Sequence, residues 1–155
     1  MKKIISEFWF ISLYIFLSCP RFHLIIDEFK GVDESLEKSF LEFINKTPPT
    51  GKSIICIDNN NIKRILKKIK NKNILTYGEG KKADYQIKKI KYYFDSTAFD
   101  LSFKNKNRKI TNIKNINVKL LGKHNALNAA AAFIVCLNLG ANINIVKKSL
   151  KNFSG

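Results

Sequence analysis

The sequence predicts an α/β domain, in which a sheet with an antiparallel β-subsheet is flanked by helices. Two short apolar runs, residues 54–57 and 74–77, have the continuous hydrophobic character of buried parallel strands. Across residues 85–120 the hydrophobic period shifts towards two, which is typical of antiparallel strands that cover one face of a core. Segments with helical spacing precede and follow these strands, so both element types alternate along the chain.

Two amphipathic helices are predicted in the first half of the chain. The first covers residues 33–45, because apolar side chains recur at helical spacing on one face: Leu36, Phe40, Phe43 and Ile44. Pro48 and Pro49 then break the pattern. The second helix follows the capping residues 58–61, and its apolar face holds Ile62, Ile65, Leu66 and Ile69. The lysines between these positions form a solvated face, so this second helix requires no charge-driven function.

The second half of the chain predicts a hairpin followed by two helices. Residues 105–108, Asn-Lys-Asn-Arg, separate two alternating runs and have the composition of a hairpin tip. A helix rich in alanine then runs up to Gly140, which supplies a C-terminal stop. A last helix over residues 143–152 is expected to bury three apolar side chains: Val146, Leu150 and Phe153.

Residues 122–132 contain the polar side chains best suited to binding a ligand. Asn125 and Asn128 lie three residues apart, just before the alanines, and residues at this spacing share a helix face. With Asn125 as the N-cap, Asn128 takes the third helical position, and both amides cluster at the helix start. Each amide offers donors and an acceptor, which suits the edge of a purine base. A well-capped core helix biased towards asparagine and alanine is the alternative interpretation.

The residues Gly-Lys-His-Asn-Ala-Leu-Asn-Ala-Ala-Ala-Ala at 122–132 resemble the signature of the central domain of the Mur ligases, which join amino acids to the peptidoglycan precursor. In that family the two asparagines lie by the ATP adenine, so the resemblance implies that His124, Asn125 and Asn128 bind the cofactor. Three further segments look most like the members that add L-alanine to UDP-N-acetylmuramate: residues 55–58, 76–78 and 83–85.

This resemblance implies a Mur ligase central-domain fold over residues 23–155, truncated at its N-terminus, with residues 1–22 as an atypical apolar segment. It implies an ATP-dependent carboxylate–amine ligase that uses Mg²⁺, with UDP-N-acetylmuramate and L-alanine as substrates of the intact enzyme. The 155 residues contain no G-x-x-x-x-G-K-[ST] loop, which such phosphoryl transfer needs. The chain alone is therefore expected to be an inactive fragment, with the missing ligase pieces as its partners in trans.

His23 is the candidate metal residue. In the family a histidine followed two residues later by aspartate lies near the second magnesium site. Here the aspartate is Asp27, four residues after His23, so the register differs from the family pattern. A surface or half-buried histidine without a metal is the alternative interpretation of His23.

The N-terminal segment bears on location. Residues 4–19 are mostly apolar, but a membrane-spanning helix needs about 20 such residues. The three cysteines are far apart and form no C-x-x-C pair, which indicates reduced side chains in a cytoplasmic protein. Membrane association through residues 4–19 is the alternative. The corresponding alternative function is a non-catalytic nucleotide- or partner-binding module, anchored by its N-terminus.

The chain is strongly basic, with 28 lysine and arginine residues against 12 acidic ones and a net charge of +16. Lysine accompanies many isoleucine and asparagine residues, which indicates a compositional bias that spreads charge over solvated faces. No nucleic-acid partner is expected, because no recognition motif accompanies the charge. No acidic residue follows Asp100, so we expect this region to face a phosphate-rich ligand such as ATP or a UDP-sugar.

Overall fold

The computed structural model describes residues 22–25, 34–70, 73–105 and 107–153. They fall into two compact units, one ending at Leu75 and the other covering residues 76–154. Most of the apolar segment 1–22 lies outside the described residues. The predicted membrane anchor belongs to that part of the chain and stays a prediction. Within the described part of the chain, every helix is too short or too polar to cross a membrane.

Where the structure describes it, the first unit pairs two parallel strands with two helices. Strand β1, Phe22–Ile25, lies parallel to β2, Lys52–Cys56. The helices are α1, Glu34–Asn45, and α2, Asn60–Leu66. The side chain of Asn59 accepts a hydrogen bond from the Asn61 amide and caps α2, as the run of polar residues predicted. Four fully buried isoleucines from these elements form the core: Ile44, Ile55, Ile62 and Ile65.

An ionic cluster ties α1 to the end of α2. The side chain of Glu37 is only 9% exposed, and its carboxylate lies 2.9 Å from Arg64 Nη2 and 2.5 Å from Lys68 Nζ. The hydrogen bond from Lys68 lowers the pKa of the Glu37 carboxyl below its ordinary value of 4.5. The charges of Lys68 and Arg64 act in the same direction, against the opposing effect of burial.

The second unit contains an antiparallel subsheet. Strands β4, Tyr85–Tyr92, β5, Thr97–Lys104, and β6, Ile110–Val118, pair in antiparallel fashion in that order. The predicted hairpin tip is confirmed: the Asn105 side chain accepts hydrogen bonds from the amides of Asn107 and Lys109. The end of β3, Ile74–Gly78, pairs with the start of β4 in parallel, a pairing that the sequence did not predict.

Hydrogen bonds between Thr76 and Asp84 connect β3 to the residue that precedes β4. The Asp84 carboxylate accepts hydrogen bonds from the Thr76 amide at 2.8 Å and from the Thr76 hydroxyl at 2.7 Å. The Asp84 amide donates back to the Thr76 hydroxyl at 3.0 Å. Residues 76–78 and 83–85, which were separate pieces of the family resemblance, therefore meet in space.

Two helices complete the second unit. Helix α3, Lys123–Asn138, packs against β4, β5, β6 and the last helix, α4, Ile143–Asn152. Four alanines of α3 are at most 5% exposed, which allows close approach to the strands: Ala126, Ala129, Ala130 and Ala131. Of the three side chains expected to be buried by the last helix, Val146 is buried, whereas Leu150 and Phe153 are half-buried. The α/β class, with an antiparallel subsheet and flanking helices, is confirmed.

We expect Glu37→Gln to lower the melting temperature at neutral pH, because Arg64 and Lys68 lose a buried carboxylate partner. A carboxyl with a lowered folded-state pKa stabilises above its ordinary value of 4.5, and this contribution disappears as pH falls through the folded-state pKa. The difference in melting temperature between wild type and variant should therefore be present at pH 7 and vanish in acid. Circular dichroism melts across this pH range measure it.

Glu42→Gln is the matched control, since Glu42 is an exposed carboxylate on the same helix. Its melting temperature should stay close to that of wild type. Equal effects of the two substitutions at pH 7 would contradict a specific stabilising role for the Glu37 cluster.

Candidate functional site

The start of helix α3 is set by a glycine. Gly122 is the N-cap, with φ +97° and no capping side chain, and Ala126 donates the first helical hydrogen bond to its carbonyl at 3.2 Å. Asn125 therefore takes the third helical position, and the prediction that Asn125 is the N-cap is wrong. The positive φ of Gly122 lets the chain enter the helix before any capping side chain is reached.

His124 and Asn128 lie in direct contact on this helix. Asn128 Nδ2 lies 3.0 Å from His124 Nε2, across one helical turn. Asn128 is only 7% exposed, and its Oδ1 is buried without a hydrogen-bond partner among the described residues. The oxygen end of this buried amide is therefore unsatisfied, at a cost of about 1–3 kcal/mol.

Asn125 plays a different part in the local structure. Its Nδ2 donates a hydrogen bond of 2.7 Å to the Leu121 carbonyl, and the residue is half-buried. The structure thus joins His124 to Asn128, while it ties Asn125 to the preceding turn. That both asparagine amides serve one bound base remains a prediction.

Thr97 is a residue of this site that the sequence did not single out. Its hydroxyl donates to the Leu120 carbonyl at 2.9 Å and accepts from the Gly122 amide at 3.1 Å. In the sequence Thr97 is one threonine in an alternating strand, and nothing there signals a contact 25 residues away. The glycine that starts α3 is therefore held by a side chain from β5.

Glu79 forms a further link to the helix start. Its carboxylate pairs with Lys123, the first residue of α3, and both side chains are about half exposed. An exposed ion pair of this kind contributes about 0–1 kcal/mol. The ion pair joins the loop after β3 to the start of helix α3.

The far end of α3 is also fixed. Gly140, with φ +81°, donates its amide to the Leu137 carbonyl, and Ala141 donates to Cys136, which is the Schellman arrangement. Asn138 Nδ2 donates to the Tyr85 hydroxyl at 3.0 Å. Burial raises the pKa of Tyr85, so this phenol remains protonated at neutral pH. The predicted stop at Gly140 is confirmed.

Two further observations concern the cysteine thiol and the candidate metal residue. Burial raises the pKa of the Cys136 thiol, which disfavours the reactive thiolate. Among the described residues, no three His, Cys, Asp or Glu side chains lie close enough together to hold a metal ion. His23 lies in β1 opposite Ser53, but its side chain is outside what the structure describes, so its metal role stays a prediction.

An open cleft in the first unit is the alternative ligand site. It is lined by Asn45, Thr47, Pro49, Lys70 and Asn73. Its two side-chain amides already form hydrogen bonds within the protein. Asn45 Oδ1 accepts from the Lys70 amide at 3.1 Å, and Asn73 Nδ2 donates to the Pro49 carbonyl at 2.7 Å. The start of α3, with its unsatisfied buried amide, is the stronger candidate.

Comparison with known proteins identifies the family. A family model described as the Mur ligase middle domain matches residues 15–136. This chain belongs to the Mur ligase family. The UDP-N-acetylmuramate–L-alanine ligase of Pelagibacter ubique (strain HTCC1062) is 41% identical over 128 residues, which cover 83% of this chain and 28% of that protein. The ligase of the same name from Buchnera aphidicola (strain Tuc7) is 42% identical over 130 residues, covering 84% and 26%.

Solved Mur ligases share the fold. A murein peptide ligase from Psychrobacter arcticus 273-4 superposes with a TM-score of 0.66 at 21% identity, covering 87% of this chain and 27% of that one. A MurF ligase from Thermotoga maritima in complex with ADP gives a TM-score of 0.55 at 21% identity, covering 85% and 30%. The Mur ligase resemblance and the central-domain fold are confirmed, and the chain spans about a quarter of its curated relatives.

We expect Gly122→Ala to destabilise this Mur ligase domain by about 1–3 kcal/mol, the usual cost of a side chain in a backbone region that only glycine populates. An added Cβ would meet open space, so the effect isolates the backbone conformation, φ +97°. Gly80→Ala is the control, since that position has equally open space without a positive φ. Urea unfolding measures both variants, and equal stabilities would contradict the assigned strain.

Proposed function

We propose that this chain is the adenine-binding part of a UDP-N-acetylmuramate–L-alanine ligase, an ATP-dependent enzyme of peptidoglycan synthesis in the cytoplasm. The family membership supports an ATP-dependent ligase. The two relatives described above, at 41% and 42% identity, carry this name. Because the chain spans 28% and 26% of those proteins, the activity and its substrates are proposed for the intact ligase rather than for this part.

The observation that carries the nucleotide assignment is the unsatisfied amide of Asn128. A buried acceptor without a donor is stabilised by any ligand that supplies one, and the 6-amino group of adenine is such a donor. Oδ1 of Asn128 is buried. We therefore expect the exposed His124 ring, which contacts the same amide, to shift as the base enters.

The proposed role is to hold the nucleotide rather than to perform the chemistry. Adenine contacts bind the substrate and the transition state alike, and such uniform binding does not raise turnover. Positioning and charge stabilisation at the transferring phosphoryl group supply the catalysis. ATP would bring Mg²⁺ with it, but the described residues form no metal cluster, so no step is assigned to the ion.

We expect Asn128→Ala and Asn125→Ala each to weaken ATP binding by about 5- to 150-fold, which corresponds to the loss of about 1–3 kcal/mol. For Asn128 the cause is the loss of the buried partner for the base. For Asn125 it is the loss of the amide expected beside the same base. Isothermal titration of the whole chain with ATP measures the dissociation constants.

Asn112→Ala provides the control, because Asn112 is an exposed asparagine on β6. Its affinity for ATP should equal that of wild type. If Asn112→Ala weakens binding as much as Asn128→Ala, the start of α3 is not the adenine site.

We also expect the purified chain to release no phosphate above background when given ATP, magnesium, UDP-N-acetylmuramate and L-alanine. Its 155 residues contain no phosphate loop with its lysine, and adenine contacts alone cannot replace that charge. Activity should appear when the missing ligase pieces are added in trans. Sustained turnover by the chain by itself would show that the catalytic groups have been misassigned.

A further inference from the structure

We propose that Thr97 is a positioning residue for the nucleotide site, acting through the turn that leads into helix α3. This inference rests on the proposed adenine-binding function of His124, Asn125 and Asn128. Thr97 itself lies on β5, and its hydroxyl is occupied by the turn. Its effect on a nucleotide is therefore transmitted through the placement of the helix.

Thr97 is a rigid anchor. It is the first residue of β5, and it is 0% exposed. Tyr92 of β4 pairs with it on one side and Val118 of β6 pairs with it on the other. A hydroxyl at this position is held by strands on both sides, so it provides a fixed reference for whatever it bonds.

The hydroxyl uses both of its hydrogen-bonding roles on one turn. It donates to the Leu120 carbonyl at 2.9 Å and accepts from the Gly122 amide at 3.1 Å. These two partners flank Leu121, whose carbonyl accepts from Asn125 Nδ2 at 2.7 Å. Three successive residues of the turn are thus fixed by side chains, one from the sheet and one from the helix that follows.

The hydrogen bonds of Thr97 compensate for the missing side-chain cap at the start of helix α3. Gly122 has no side chain with which to cap α3, and a glycine at φ +97° has few steric restraints of its own. Without Thr97 the turn would have more conformations available. His124 follows two residues later and Asn128 one turn beyond it, so a displaced Gly122 moves the site residues together as one rigid helix end.

The test compares three variants of the whole chain by ATP titration and thermal melting. Thr97→Val keeps the shape but removes both hydrogen bonds, and we expect about tenfold weaker ATP binding. Thr97→Ser keeps the hydroxyl and should stay within about twofold of wild type. Thr111→Val replaces a threonine of β6 outside the turn and should leave ATP affinity unchanged.

A merely structural threonine predicts a different pattern. Thr97→Val would then lower the melting temperature while its ATP affinity, measured well below that temperature, stayed equal to wild type, and this result would overturn the proposal. Failure of the wild-type chain to bind ATP is a separate outcome, which overturns the proposed function as well.

Hydrogen exchange of the Gly122 amide in the wild-type chain decides the matter even if Thr97→Val does not fold. Coupling between two sites is reciprocal, so if the Thr97–Gly122 bond favours nucleotide binding, bound nucleotide must favour that bond. Saturating ATP should therefore slow exchange at Gly122, while Ile113 in the middle of β6 serves as the internal reference. Unchanged Gly122 exchange relative to this reference would overturn the inference.

Discussion

The turn at Gly122, where the antiparallel subsheet passes into helix α3, is the constraint on which the candidate site depends. Its conformation, φ +97°, is open to glycine alone, and glycine brings no cap of its own. The fully buried hydroxyl of Thr97 supplies the missing restraint from the neighbouring strand. The candidate site residues follow Gly122 within six residues, so the position of this turn determines where they lie: His124, Asn125 and Asn128.

Helix α3 is suited to transmit that placement because it is held along its whole length. Its buried alanines permit close packing on the subsheet, and Asn138 bonds to Tyr85 near the other end. A helix fixed at both ends presents its first turn in one position before any ligand arrives. The unsatisfied amide of Asn128 is therefore a preorganised feature, and binding need not create it.

Periodicity carried most of what the sequence predicted correctly. Strands β2 and β3, the β5–β6 hairpin and the helices among the described residues follow from local spacing, and Gly140 follows from a local stop signal. The assignment of Asn125 as the N-cap was wrong. Sequence-based N-cap assignment looks for a side chain that can accept a hydrogen bond, whereas helix α3 begins at Gly122, which has none. The contacts of Thr97 with Gly122 and of Thr76 with Asp84 depend on tertiary structure, which no local pattern encodes. The roles of residues 1–22 and of His23 remain predictions.

The most direct test of the account is an ATP titration of the isotope-labelled chain, followed by amide resonances in solution NMR. The account predicts that the largest shifts fall on the turn and first helical residues, 120–128, with the Asn128 side-chain amide among them. Shifts confined to the cleft of the first unit around Asn45 and Lys70, with the start of α3 unaffected, would contradict it.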